Sequence, residues 1–160
     1  MCWKCREPGV TKAEADARMF AMIERYGWAI QYVGADRVHP PWAYTVGLVQ
    51  DDLAELVVTG LSRERAAEVL NDVAHEVAWH DGECLPGQRF PLEDGTTIEV
   101  VELPHPDAHL RVVTDLFPDL PLRAQQLVWC DDRGRWPWDR RFRGRRGGQP
   151  VLGPRAETGA

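Results

Sequence analysis

Only two stretches of this chain carry apolar residues at helical spacing, and its β-rich stretches are not regularly separated by them. A doubly wound parallel sheet needs a helix after nearly every strand, so the pattern predicts something else. The expected fold is α+β: a mixed or antiparallel sheet of about five or six strands with two main helices packed on it, in a single domain. Thr11, followed three residues later by Glu14, has capping-box form and sets the start of the first helix. Ala15, Met19, Met22, Ile23 and Tyr26 make its stripe, and Gly27 stops it, so the helix should run over 12–26. Ser62 is placed to cap the second, whose stripe is Ala66, Val69, Leu70, Val73 and Val77, ending before Gly82.

Strands are expected over 28–33, 42–49 and 55–59, where aromatic and β-branched residues gather between Gly34, the Pro40-Pro41 pair and Gly60. Residues 97–103 and 110–114 read as two more, paired as a hairpin whose turn holds Pro104 and Pro106. A last strand over 125–130 closes at Asp131-Asp132-Arg133-Gly134. No internal repeat and no linker divides residues 1–160.

Apolar residues make up 44% and charged residues 28% of the chain, an ordinary globular balance that excludes a disordered one. No apolar run approaches the roughly 18 residues that a bilayer requires, and the start Met-Cys-Trp-Lys-Cys-Arg-Glu-Pro has no secretory apolar stretch. A cytoplasmic protein without membrane contact is expected. The four cysteines, Cys2, Cys5, Cys84 and Cys130, then read as free thiols or metal ligands rather than disulfides. The net charge of -6 conceals an asymmetry. Residues 131–160 hold 8 Arg against 4 acidic side chains, while residues 1–130 hold 11 basic against 21 acidic. An acidic body repels phosphates, so the Arg- and Gly-rich tail over 139–160 argues only weakly for nucleic acid, and nucleic-acid binding is not expected.

Four sets of residues carry a resemblance. They are Tyr26-Gly27-Trp28-Ala29; Pro41-Trp42-Ala43-Tyr44-Thr45-Val46-Gly47-Leu48; Glu55-Leu56-Val57-Val58-Thr59-Gly60-Leu61; and Gly134-Arg135-Trp136-Pro137-Trp138 with Gly148-Gln149-Pro150-Val151-Leu152-Gly153. Together, and in this order over nearly the whole chain, they resemble the bacterial family called Domain of Unknown Function 4262. Its members often share the short N-terminal Cys-x-x-Cys. The resemblance implies no particular activity, and it gives no weight to Cys84, Cys130, His75 or His80, which lie outside those blocks.

Candidate chemistry falls in three places. Cys2-Trp3-Lys4-Cys5, in the segment 1–10, has the spacing that presents two sulfurs to one Zn²⁺, with Cys84, Cys130, His75, His80, His105 and His109 as completions that spacing does not select. His75 and His80 are five residues apart, which on one continuous helix turns them about 140° from each other. They are therefore not expected to form a zincin-type pair. Trp42, Tyr44, Thr45, Arg135, Trp136, Trp138 and Gln149 combine flat rings with hydrogen-bond donors and form a candidate pocket for an anionic or nucleotide-like ligand, set against a core-packing role for the same rings. No serine sits in a nucleophile elbow and no Gly-rich loop could cradle phosphate; Ser62 is the one serine, and capping accounts for it. Three functions are compatible with these residues: a domain binding a small ligand or a protein partner, an enzyme using a Cys nucleophile or a metal-activated water, and a small zinc or redox Cys-x-x-Cys protein.

Overall fold

The computed structural model describes residues 9–143 and 148–157. The first helix, α1 (Lys12–Tyr26), begins as its sequence requires: the Thr11 hydroxyl accepts the Glu14 N–H, and the Glu14 carboxylate accepts the Thr11 N–H at 2.8 Å. Gly27 ends it with φ 91°, in the left-handed region where only glycine is unstrained. The chain then pairs β1 (Ala29–Val33) with β2 (Trp42–Val46) and β2 with β3 (Glu55–Thr59), each antiparallel. β2 is shorter than expected. Gly47, at φ 122°, turns the chain out of the strand into a 3-10 turn, Leu48–Asp51.

Ser62 caps the long α2 (Arg63–Trp79), accepting the Arg65 N–H. After it come β4 (Arg89–Pro91), β5 (Thr97–Glu102), the short α3 (Arg111–Leu116) and β6 (Ala124–Trp129). Two differences from expectation stand out. β4 has no strong strand signature, because it is three residues long and ends in proline, which a sheet tolerates at its edge. The stretch 110–114, expected as a strand, is instead helical. Its β-branched residues suggested extension, yet Leu110 and Val113 are the buried positions and Leu116 and Phe117 pack beside them, a spacing of three that suits one helical face.

The six strands form one mixed sheet in the order β1-β2-β3-β6-β5-β4, antiparallel everywhere except at its centre, where β3 and β6 run parallel with Glu55 opposite Ala124. Alternate residues serve opposite faces. Leu56, Val58, Ile98, Val100, Leu127 and Trp129 meet α2 on one face. Val57, Tyr44, Val46 and Ala124 meet Ile23 of α1 and Val113 of α3 on the other.

The C-terminal segment crosses that second face and is bound to it by side chains that stand in for a strand. Gln149 donates to the Trp129 carbonyl at 2.8 Å and accepts the Trp129 N–H at 2.9 Å. Gln126 donates to the Pro150 carbonyl and accepts the Leu152 N–H, both at 2.7 Å, and the Thr59 hydroxyl also donates to Pro150. The approach is close. A Cβ on Gly153 would stand 2.0 Å from the Glu102 carbonyl oxygen, so only glycine fits there.

Candidate functional site

The aromatic residues singled out in the sequence fall into two separate environments. Tyr44, Thr45 and Gln149 are buried and Trp42 is half-buried on the α1 face. The Tyr44 hydroxyl accepts the Val112 N–H, and burial pushes its pKa up to about 12. Trp136 and Trp138 stack on each other, centroids 5.4 Å apart and planes 6° from parallel. On their outer faces lie the Arg89 guanidinium, 4.7 Å from the Trp136 centroid, and that of Arg155, 3.8 Å from Trp138. Both arginines bind one buried carboxylate, Glu99, at 2.7 and 2.8 Å. Burial raises the Glu99 pKa, but the two guanidinium partners outweigh it and the net shift is downward. Four stacked side chains and one carboxylate thus join the C-terminal segment to β4 and β5. Arg135 is held by Asp131, Nε to Oδ2 at 2.9 Å. Burial pushes the Asp131 carboxyl up, yet the N–H groups of Arg135, Arg143 and Arg133 outweigh it and leave its pKa at about 2. Among the described residues, Trp42 Nε1 and Arg135 Nη2 are buried without a hydrogen-bond partner.

A groove of about 1140 Å³ opens elsewhere, between the C-terminal half of α2, the α1–β1 junction and β4, and none of those seven residues lines it. Its wall includes the Trp28 and Trp79 rings, 5.2 Å apart. Trp28 is fixed: it is buried, and its Nε1 donates to Asn71 at 3.0 Å. Trp79 is 59% exposed, with Met22 and Tyr26 also presenting exposed surface to the same groove. Charge is one-sided. Among the described residues, Asp72, Glu76, Glu83 and Glu93 line the groove, and no Lys or Arg does.

The end of α2 shapes one wall. Both the His80 and the Gly82 N–H donate to the Glu76 carbonyl, and Asp81 between them takes φ 51°. A Cβ on Gly82 would stand 2.9 Å from that carbonyl oxygen, so glycine permits the tight return. Because the helix stops at Trp79, the 140° separation expected for His75 and His80 on a continuous helix does not apply. The chain curls back and stacks the two imidazoles with centroids 4.9 Å apart. His75, Glu76 and His80 then offer ligand atoms within 4.8 Å of one another, so this cluster could hold a metal ion. Two imidazole nitrogens and one carboxylate oxygen are a donor set that suits zinc. The legible signal was Trp79, a large ring off the apolar stripe of α2 and flanked by His75, Glu76 and His80. Cys2 and Cys5 lie outside the described residues.

Two buried groups bear on catalysis. Cys84 is packed against the core and burial pushes its thiol up to about 12, which leaves negligible thiolate at neutral pH. Glu55, fully buried, accepts the Thr45 hydroxyl at 2.5 Å and the N–H groups of Gly47 and Val49 at 2.8 and 3.1 Å. Burial dominates and raises its pKa to about 7 despite these donors. It ties the start of β3 to the turn after β2 and faces neither the groove nor a cation.

Among the described residues, no helix is long and apolar enough to cross a membrane. No curated protein and no solved structure matches the chain. One family does, described as Domain of unknown function (DUF4262), over residues 22–143. That span contains the whole sheet, the last five residues of α1, the acidic groove, His75 and His80, and the Trp136–Trp138 pair; the chain belongs to the DUF4262 family.

Proposed function

We propose that this chain is a cytoplasmic binding domain whose groove takes an organic cation with an apolar body. The observation that carries the reading is the pairing of an exposed Trp79, backed by Trp28, with four carboxylates in one concavity that no Lys or Arg among the described residues lines. An ammonium group over an indole gains roughly 0.5–2 kcal/mol from the ring's negative face, and surrounding carboxylates add long-range attraction. An anionic ligand, suggested by the arginines of the sequence, finds no such complement here. Arg89, Arg135 and Arg155 are engaged by Glu99 and Asp131.

The test uses three probes of similar size: benzyltrimethylammonium, its neutral carbon isostere, and benzenesulfonate. Tryptophan fluorescence and calorimetry should show binding of the cation alone, weakened by salt and by Trp79→Ala. Equal binding of the sulfonate, or none of the cation, overturns the reading.

A further inference from the structure

We infer that His75, Glu76 and His80 form a zinc site that is complete without the N-terminal Cys-x-x-Cys and keeps one coordination position open to the groove. The inference does not rest on the organic-cation reading. Three observations support it. The donors are already gathered: their ligand atoms lie within 4.8 Å of one another, whereas donors sharing a tetrahedral ion at ~2.1 Å stand about 3.4 Å apart. Glu76 and His80 are exposed and His75 is half-buried at the surface of α2, so rotation of the two exposed side chains can close a gap of ~1.4 Å without disturbing the core.

The backbone holds this arrangement. The His80 and Gly82 N–H groups both bind the Glu76 carbonyl, at 3.1 and 3.0 Å, and this return turn carries the His80 ring onto His75. His75 is further set by Trp79, whose ring meets it nearly edge-on at 4.5 Å. The fixed backbone return leaves only side-chain rotation for the ion to order.

The electrostatics select a cation. The site lies at the C-terminal end of α2, the negative end of the helix dipole, and the last turn of α2 carries no basic residue. Asp72 and Glu83 line the same groove and add negative charge. Two imidazoles and one carboxylate supply three of the four positions of a tetrahedral zinc, and the fourth is left for water or for an oxygen of a groove ligand.

Cys2 and Cys5 provide the competing source of zinc affinity, and the experiment separates the two. In the full chain carrying Cys2→Ser and Cys5→Ser, zinc is measured by competition with a chromophoric chelator and by elemental analysis. About one equivalent is expected, and adding His75→Ala and His80→Ala should weaken binding about tenfold or more. His80 is exposed and His75 is half-buried outside the core cluster, so circular dichroism should be unchanged and the metal-free melting temperature should fall by only a few degrees. Co²⁺ in the serine variant should give a visible spectrum of tetrahedral nitrogen and oxygen ligation with no sulfur charge-transfer band, and should quench Trp79, a quench missing in Trp79→Phe. Loss of zinc in the serine variant alone, or retention of full affinity after both histidines are removed, overturns the inference. Failure of benzyltrimethylammonium to bind leaves this site standing, and failure of zinc leaves the organic-cation reading standing.

Discussion

The molecule uses paired tryptophans twice, once on each side of the β4 edge, and the two pairs differ in what surrounds them. Trp136 and Trp138 are sandwiched between Arg89 and Arg155, whose charges end on Glu99. Trp28 and Trp79 face carboxylates with no Lys or Arg among the described residues that line their groove. Adjacent residues of one strand serve both: Arg89 stacks on Trp136, and Phe90 lines the groove. The difference teaches how to separate a joint from a binding surface. Where rings, cations and carboxylate are all supplied by the chain, the cluster holds segments together. Where no described Lys or Arg meets the carboxylates and a ring stays exposed, the surface is the one proposed to take a ligand.

Substitutions at each pair should therefore have opposite readouts. Glu99→Ala leaves two guanidinium groups without their shared acceptor and loosens the C-terminal segment. The expected cost is about 3 kcal/mol, near the low end for broken buried ion pairs because both arginines keep contact with water. Denaturant unfolding measures it, and benzyltrimethylammonium affinity should stay unchanged. A loss of affinity without loss of stability would reverse the assignment of the two pairs.

The sheet face that the C-terminal segment crosses also carries a pH response, through Glu55. In the folded protein the Glu55 pKa is about 7 against 4.5 ordinarily, so the native state binds that proton more tightly than the unfolded chain. Its contribution to stability is then greatest in acid, declines as pH rises from 4.5 through 7, and the penalty is complete above that. At about 1.4 kcal/mol per pKa unit, Glu55→Gln should gain roughly 2–3 kcal/mol on the native protein between pH 5 and pH 8. Parallel stability–pH curves for the two proteins would show that Glu55 is not the group responsible.

Smaller effects belong to the groove. Trp79→Ala should change stability by only about 1 kcal/mol, since the ring is mostly exposed, while weakening benzyltrimethylammonium binding about tenfold. The smallest effect is coupling. Zinc at His75, Glu76 and His80 adds positive charge beside Trp79, so chelator-treated protein should bind benzyltrimethylammonium a few-fold more tightly than zinc-loaded protein, and added salt should shrink that ratio. Tighter binding with zinc would mean that the ion does not share the groove's field.

Much of the fold was legible because local rules governed it. Thr11, Glu14 and Gly27 bounded α1 to the residue, and Ser62 placed α2. Local rules failed where tertiary contacts decided: Val112, Val113 and Thr114 have strand-forming side chains, yet burial of Leu110 and Val113 on one face made the segment helical. The site was less legible for the same reason. Trp42 and Trp136 were similar as residue types, and only the fold separated them. The metal cluster depended on where α2 stopped, at Trp79 rather than just before Gly82, which turned His80 from a helix position into a return turn. Glu55 read as an ordinary strand start, since nothing in Glu-Leu-Val-Val-Thr shows that its carboxyl is sealed beneath Gly47 and Val49.

The single parallel pairing at the centre of the sheet has a consequence for synthesis. β1, β2 and β3 form an antiparallel meander from nearby sequence, and β4, β5 and β6 form the other half, so the β3–β6 seam is the long-range step. Thr59 also waits for Pro150, 91 residues further on. Closing such distant contacts is slow compared with pairing neighbours. On the ribosome, the Leu56-Val57-Val58 edge of β3 therefore emerges well before its partner exists. Until Leu127 and its neighbours leave the exit tunnel, the nascent chain presents an unpaired apolar strand, and that interval is when this protein is most exposed to misassociation with another copy of itself.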